Sequence, residues 1–255
     1  MKLTASILVA QSVCGFLRHV QYGLRQPLPF AASRRRFGSV LHVAIALYEK
    51  SGRRLDTALA ALSTFVLPAP DLDEARRILA WRHGLERDRS RRPFLIEGAL
   101  HTTVDDHRLD VRMDRLDRRE GEFVLTELKT GRQLEPSSIR AQLGVLSYVI
   151  GRTLGKTPSE WEVELLGARR ILRLPAERSP AELERVVAGL ARAVARDDRE
   201  PEPSDAAFCG RCPARRYCPR ASSRPLPLRT PAPAEPPTQL NLFDGEPHKY
   251  AGGHA

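Results

Sequence analysis

Between residues 90 and 130 the hydrophobic pattern of this chain changes its period, and that change limits the possible folds more than any other feature. Before it, residues 38–49 (GSVLHVAIALYE) and 72–83 (LDEARRILAWRH) carry apolar side chains at helical spacing, and residues 1 to about 90 as a whole read as helices. The acids between Asp71 and Glu74 suit a first helical turn. Within the changed region, Phe94-Leu95-Ile96, Leu109-Val111-Met113 and Phe123-Val124-Leu125 read as strands. The last two are joined by a hairpin turn across Arg118-Arg119-Glu120-Gly121. The helical period then returns over residues 136–154, followed by a strand near 161–166. Another helix opens at Ser179-Pro180-Ala181-Glu182, where a capping serine, a proline at the first helical position and a glutamate at the third coincide. This order predicts an α/β domain with a central sheet flanked by helices.

The chain has 255 residues, enough for one large domain with an ordinary core, or one domain with appendages. Apolar residues make up 42%, which excludes wholesale disorder, and the formal charge is +10. Most basic residues are arginine, which forks readily onto phosphate oxygens, so the expected partner is a polyanion, nucleic acid first. A GC-rich genome also raises Arg and Ala, so charge alone does not decide. The stretch MKLTASILVAQSVC fails as a secretory or lipoprotein signal: Thr4, Ser6 and Gln11 interrupt the apolar run, and Val13 is too large to precede a processed cysteine. No run reaches transmembrane length, so the expectation is a cytoplasmic protein without a membrane partner. In that compartment the four cysteines are better read as metal ligands or thiols than as disulfides.

The folded region is expected to span residues 1–222. It divides into a helical part to about residue 90, a sheet-bearing part over about 91–170, and a helix with a cysteine motif over about 179–222. After Cys218 the composition collapses to SSRPLPLRTPAPAEPPT, giving a Pro-rich linker over 223–237 and a tail over 238–255.

Glu127 and Lys129 end the apolar run Phe123-Val124-Leu125-Thr126. Residues two apart in a strand share a face, so the acid and the base point the same way. Folding the hairpin about 118–121 brings Asp114 opposite residues about 125–127. Two carboxylates this close repel unless a cation or a proton lies between them, and oxygen ligands on rigid strands suit Mg²⁺ or Mn²⁺. The lysine beside them can hold or activate a water and offset charge growing on a phosphate under attack. Taken alone, Glu127 and Lys129 also fit a plain ion pair at a strand end.

Asp114, a hairpin and then Glu127-Leu128-Lys129, flanked by MDRLD and ELKTG, resemble the PD-(D/E)XK nuclease superfamily and its RecB-like branch, over nearly the whole chain up to Cys218. The resemblance implies a restriction-endonuclease-like core, a mixed sheet flanked by helices, with a helical N-terminal part and a disordered Pro-rich C-terminal tail. It assigns metal binding to Asp114, Glu127 and the Leu128 backbone carbonyl, and the attacking water to Lys129. Gly38-Ser39-Val40-Leu41-His42 matches the branch's helical G-x-x-x-H motif, which adds His42 as a ligand; on its own spacing His42 would read as a core histidine. Glu97 stands where the family often has another glutamate, or is a solvent-facing strand residue. Two positions depart from the pattern. Val111 replaces a frequent glycine, and in the helical Q-x-x-x-Y motif Gln142 is present as a substrate contact while the tyrosine position is Leu146. Tyr148 lies on another face of that helix and reads as packing.

Cys209, Cys212 and Cys218 cluster near the end of the folded region and need a fourth ligand, for which Cys14 is the remaining cysteine. Four thiolates hold zinc or an iron-sulfur cluster, and spacing alone does not choose. The resemblance favours a [4Fe-4S] cluster. Iron-sulfur members of the branch, AddB-type nuclease domains and the nuclease of CRISPR adaptation among them, have one cysteine before the core and three after it at this spacing. Gly15 replaces the proline usual after the first cysteine.

Gln239-Leu240-Asn241-Leu242-Phe243 is an apolar knot beyond the linker, and exposing Leu and Phe there is unfavourable unless a pocket receives them. Gln239, Leu240, Leu242 and Phe243 resemble the bacterial sliding-clamp-binding motif; the plainer alternative is a patch that docks back onto the domain. Together these features predict a Mg²⁺- or Mn²⁺-dependent DNA nuclease, by resemblance a single-strand exonuclease of repair or replication, tethered to the clamp. No G-x-x-x-x-G-K-[ST] motif occurs, so unwinding would fall to a partner helicase. Two other readings stand beside this one. A CRISPR-adaptation nuclease would have no obvious use for a clamp tether. A catalytically silent DNA-binding adaptor with structural zinc sits poorly with the intact Asp114, Glu127 and Lys129.

Overall fold

The computed structural model describes residues 1–29, 32–87, 92–176, 179–204 and 206–229; the Gln239 to Phe243 motif lies outside the described residues. The strands are β1 (Lys2–Thr4), β2 (Arg92–Val104), β3 (His107–Arg119), β4 (Glu122–Lys129), β5 (Glu160–Leu165) and β6 (Arg170–Pro175). The helices are α1 (Ala5–Val13), α2 (Gly15–Arg18), α3 (Ala32–Lys50), α4 (Leu55–Ser63), α5 (Ala69–Arg87), α6 (Pro136–Leu154) and α7 (Pro180–Ala195). The six strands form one mixed sheet ordered β1-β3-β4-β5-β6, with β2 paired to the other edge of β3. This is the expected α/β architecture.

Helices cover both faces. Leu8 of α1, Leu143, Leu146, Val149 and Ile150 of α6, and Val187 of α7 pack on Leu116, Leu125 and Val163 of one face. Leu146 is fully buried, and replacing it by alanine would cost about 2–5 kcal/mol in transfer and cavity terms. On the other face Leu41 and Ile45 of α3, Leu62 of α4 and Ile78 of α5 pack against Leu128 and Leu166. The predicted capping box is present at α7: Ser179 Oγ accepts from Glu182 N–H, and the Glu182 carboxylate accepts from Ser179 N–H at 2.8 Å. No helix among the described residues is long and apolar enough to cross a membrane.

The β3–β4 hairpin turns at Glu120 and Gly121, both left-handed (φ 51° and 83°), as a two-residue turn between twisted strands requires. Three features went beyond the sequence expectation. Asp105 and Asp106 (φ 43° and 61°) make a second such turn, so β2 and β3 form a long hairpin where only short strands were expected. Strand β6 pairs antiparallel with β5. Residues Lys2–Thr4, inside the region read as helical, form a strand parallel to Arg108–Asp110 of β3.

That short strand shapes the sheet. Along one edge β3 pairs with β1 up to Asp110, and with β4 only from Arg115 onward. Residues 111–114 have no ladder partner on that edge among the described residues, so β1 and β4 diverge as a fork. The side-chain alternation of β3 slips there too. Leu109, Val111 and Met113 face the main core, and so does Leu116 rather than residue 115. Asp114 lies in the slip, and Arg115 turns to the opposite face.

Beneath that opposite face runs a buried layer of charge. Arg82 binds Glu49 through Nη1 and Glu164 through Nε at 3.0 Å, while Arg115 binds Glu49 at 2.7 Å and Asp117 at 2.6 Å. These five side chains are each no more than 2% exposed and join α3, α5, β3 and β5.

Candidate active site

Three strands and two helices deliver charged and polar side chains to the fork. Asp114 of β3 meets His42 of α3, with Oδ1 3.1 Å from Nδ1, and its Oδ2 accepts from the Leu128 backbone N–H of β4 at 2.7 Å. Glu97 of β2 joins them, its Oε1 3.5 Å from His42 Nδ1. It stands opposite Asp114, between the pairs Ile96–Arg115 and Gly98–Met113. Its backbone is left-handed (φ 49°), a conformation costing a non-glycine residue on the order of 1–3 kcal/mol and concentrated at functional sites. Arg112 Nε donates to Glu97 Oε2 at 2.8 Å and steadies it.

Glu127 and Lys129 of β4 form the second half of the site with Gln142 of α6. Lys129 Nζ donates to Glu127 Oε1 and to Gln142 Oε1, both at 2.8 Å, and Gln142 Nε2 donates to Glu127 Oε1 at 2.6 Å. Glu127 and Lys129 thus share a face, as strand periodicity predicts. Leu146 and Tyr148 are buried in the core behind them.

The electrostatics tie the halves together. Burial alone would lower the His42 pKa, but the hydrogen bonds and charges of Asp114 and Glu97 raise it to about 10. Burial pushes Asp114 upward, yet His42, the Leu128 N–H and the Lys129 charge hold it below the ordinary carboxylate range. Burial, reinforced by the Asp114 charge, pushes Glu127 up to about 7 against the pull of Lys129. The fork therefore concentrates negative charge that protons balance. Ligand atoms of His42, Glu97 and Asp114 lie within 4.8 Å of one another, the convergence a cation site needs. One imidazole among carboxylates, with backbone close by, is a donor set suited to Mg²⁺ or Mn²⁺. The converging trio includes Glu97, while the Glu127 oxygen described above is engaged by Lys129 and Gln142.

The family model of the PD-(D/E)XK nuclease superfamily matches residues 2–219. The chain belongs to this superfamily. Among solved structures, an exonuclease candidate from Eubacterium rectale is similar over 83% of this chain and 86% of its own, with 13% identity and a TM-score of 0.51. SSO0001 is similar over 87% of both chains, with 15% identity and a TM-score of 0.44. No curated protein matches the chain. Superfamily members use divalent metals to cut nucleic acid, and His42, Glu97 and Asp114 form a candidate metal-binding cluster in this chain.

This superfamily chain also gathers its cysteines. Cys14, Cys209, Cys212 and Cys218 are free thiols that line one small enclosed pocket, although 194 residues lie between the first and the second. Burial raises the Cys14 and Cys212 thiols, and the charge of neighbouring cysteines raises both further. Such a set favours thiolates only when a cation or cluster binds them. Around the pocket, Phe16 N–H donates to Glu200 O and Ser204 N–H to Val13 O. A Cβ at Gly15 would stand 2.6 Å from the Asp198 carbonyl oxygen, so this backbone crosses where a larger residue would clash. Residues 223–229 continue along the body: Leu226 N–H donates to Arg216 O, and the Gln26 side chain holds Arg229 O at 2.7 Å.

Sequence reasoning named Asp114, Glu127, Lys129, His42, Glu97 and Gln142. It missed Arg112 and the buried layer behind the fork. Arg112 carried one usable signal, the outward-facing place it takes between Val111 and Met113 once β3 is read as a strand.

Proposed function

We propose that the protein is a Mg²⁺- or Mn²⁺-dependent deoxyribonuclease that trims single-stranded DNA from an end in repair or replication. The observation that carries this reading is the meeting of Asp114, Glu127 and Lys129 at the fork, with His42 and Glu97 beside them. His42, Glu97, Asp114, Glu127 and the Leu128 carbonyl would hold the metal, which when bound polarises the phosphate and lowers the pKa of a bound water. Lys129 has three N–H directions and uses two, on Glu127 and Gln142. The third is left to orient the attacking water or to meet a phosphate oxygen, and Gln142 keeps the ammonium aimed.

In this proposal Cys14, Cys209, Cys212 and Cys218 hold a [4Fe-4S] cluster. The four thiols line one common pocket, and the arrangement of one cysteine before the core and three after it resembles the iron-sulfur members of the superfamily. Iron and acid-labile sulfide in anaerobically purified protein support this, and stoichiometric zinc without iron overturns it. The tail motif Gln239, Leu240, Leu242 and Phe243 tethers the enzyme to the sliding clamp. Loss of clamp binding on Leu242→Ala with Phe243→Ala, measured with purified clamp, is the expected result.

The nuclease is tested with single-stranded DNA labelled at either end, with and without Mn²⁺ or Mg²⁺. Cutting that needs both metal and Lys129 is expected, and the labelled products give its polarity. Intact, cluster-loaded protein that leaves every DNA uncut overturns the reading.

A further inference from the structure

Lys129 and Gln142 also line a cavity of about 310 Å³, at the lower end of small-ligand sites (about 300–1,000 Å³). Its lining mixes two chemistries. Val9, Ala10, Val13, Leu17 and Phe208 are apolar, while Ser6, Gln21, Tyr22 and Ser138 add polar and aromatic groups to Lys129 and Gln142. These are the complements of one nucleotide: a flat base with a hydrogen-bonding edge at one end, an anionic phosphate at the other.

Tyr22 reaches this lining from an unusual piece of backbone. Residues His19–Gly23 form a single π turn, closed by Leu24 N–H donating to His19 O at 2.8 Å. Such isolated π turns are rare and frequent at functional sites. Burial raises the Tyr22 phenol above its ordinary range, partly offset by a hydrogen bond with Ser6, so the ring stays neutral beside an anionic strand. Gln21, next to it, carries both a donor and an acceptor for a base edge.

We infer that this cavity receives one unpaired nucleotide beside the scissile phosphate, its base stacked on Tyr22 and the apolar lining. A paired base has its edge occupied and its faces stacked on its neighbours, so it enters only after unpairing. The cavity thereby selects single strands. This inference rests on the nuclease reading and adds a residue that reads the base rather than the phosphate.

The test uses full-length, anaerobically purified protein with Mn²⁺ and two single-stranded oligonucleotides, one natural and one carrying a single abasic nucleotide. The rate of cutting at that nucleotide is expected to fall about tenfold on the abasic strand, the scale of one base–aromatic stack. Tyr22→Ala is expected to bring the natural strand down to the abasic rate without slowing the abasic strand further, while Tyr22→Phe keeps the difference. In parallel, 2-aminopurine at the same position reports stacking in EDTA: its fluorescence falls on binding wild type and Tyr22→Phe, and stays high with Tyr22→Ala. Equal cutting of both strands by wild type overturns the inference and leaves the nuclease standing, and needs no variant to fold. A Tyr22→Ala protein that slows both strands alike gives Tyr22 a scaffold role and also overturns it. No cutting of either strand, with no change in 2-aminopurine fluorescence on wild type, removes the nuclease reading and this inference together.

Discussion

Two charged pairs link strand β3 to helix α3, and they end in opposite environments. Arg115 meets Glu49 in the inner layer, where both side chains are at most 2% exposed. Asp114, the neighbour of Arg115, meets His42 at the fork with 13% and 27% exposure. In the inner layer Glu49, Asp117 and Glu164 each have an arginine, so charge is matched by fixed protein groups. At the fork the acids are matched in part by protons, one held on His42 and one favoured on Glu127. A group balanced by protons can exchange them for a dication, and a group balanced by arginines cannot. The inner layer sets where His42 and Asp114 stand, because His42 and Glu49 lie two helical turns apart on one face of α3.

Breaking the fork should abolish chemistry and spare the fold. Asp114→Asn and Lys129→Ala are each expected to lower cutting of end-labelled DNA by at least about 10²-fold, with circular dichroism showing the fold retained. Breaking the inner layer should do the reverse. Arg82→Met leaves Glu49 and Glu164 short of a buried partner, and urea titration is expected to show a loss of about 3–5 kcal/mol.

Sharper still is the response to pH. His42 (about 10) and Glu127 (about 7) both have folded pKa values above their unfolded ones, so each stabilises the metal-free protein fully below the unfolded pKa. That contribution is lost as pH rises through the folded value. Metal-free protein should therefore lose thermal stability between about pH 5 and 10, and Mn²⁺ should raise the midpoint more at about pH 8 than at about pH 6. Glu127→Gln should flatten the part of this dependence near pH 7. The smallest effect is expected at Asp197, which hydrogen bonds from Arg199 and Arg18 hold at a pKa of about 2. Its stabilisation is present above the unfolded value near 3.8 and lost as pH falls through about 2. Acid unfolding of Asp197→Asn against wild type should show a difference under about 1 kcal/mol, because the pair is partly exposed and solvent screens it.

The pattern of sequence made some of this architecture legible and hid the rest for identifiable reasons. α6 and the start of α7 were readable because long periodic runs coincide with capping chemistry. The Glu127–Lys129 pairing followed from the strand period alone. β1 was hidden because three residues are too few for any period, and its partner lies more than 100 residues away. The second hairpin was hidden because Asp-Asp is a weaker turn signal than Asn-Gly, and because His101, Thr102 and Thr103 of β2 are polar. Arg82 sits in a run that reads as an amphipathic helix, and its charge argues for the solvent side, where the structure buries it with two acids. The left-handed Glu97 and the π turn bearing Tyr22 have no local signature in the sequence.

The meeting of both ends of the folded region at the cysteine pocket bears on the order in which function arrives. Every acid of the fork has been synthesised once residue 129 is added, but Phe208, part of the cavity lining, follows roughly ten seconds later at about 5–20 residues per second. The three late cysteines arrive with it. If the proposed nuclease and its base-receiving cavity hold, a growing chain carries its cutting groups before the wall that selects the strand, and a late segment completes that discrimination.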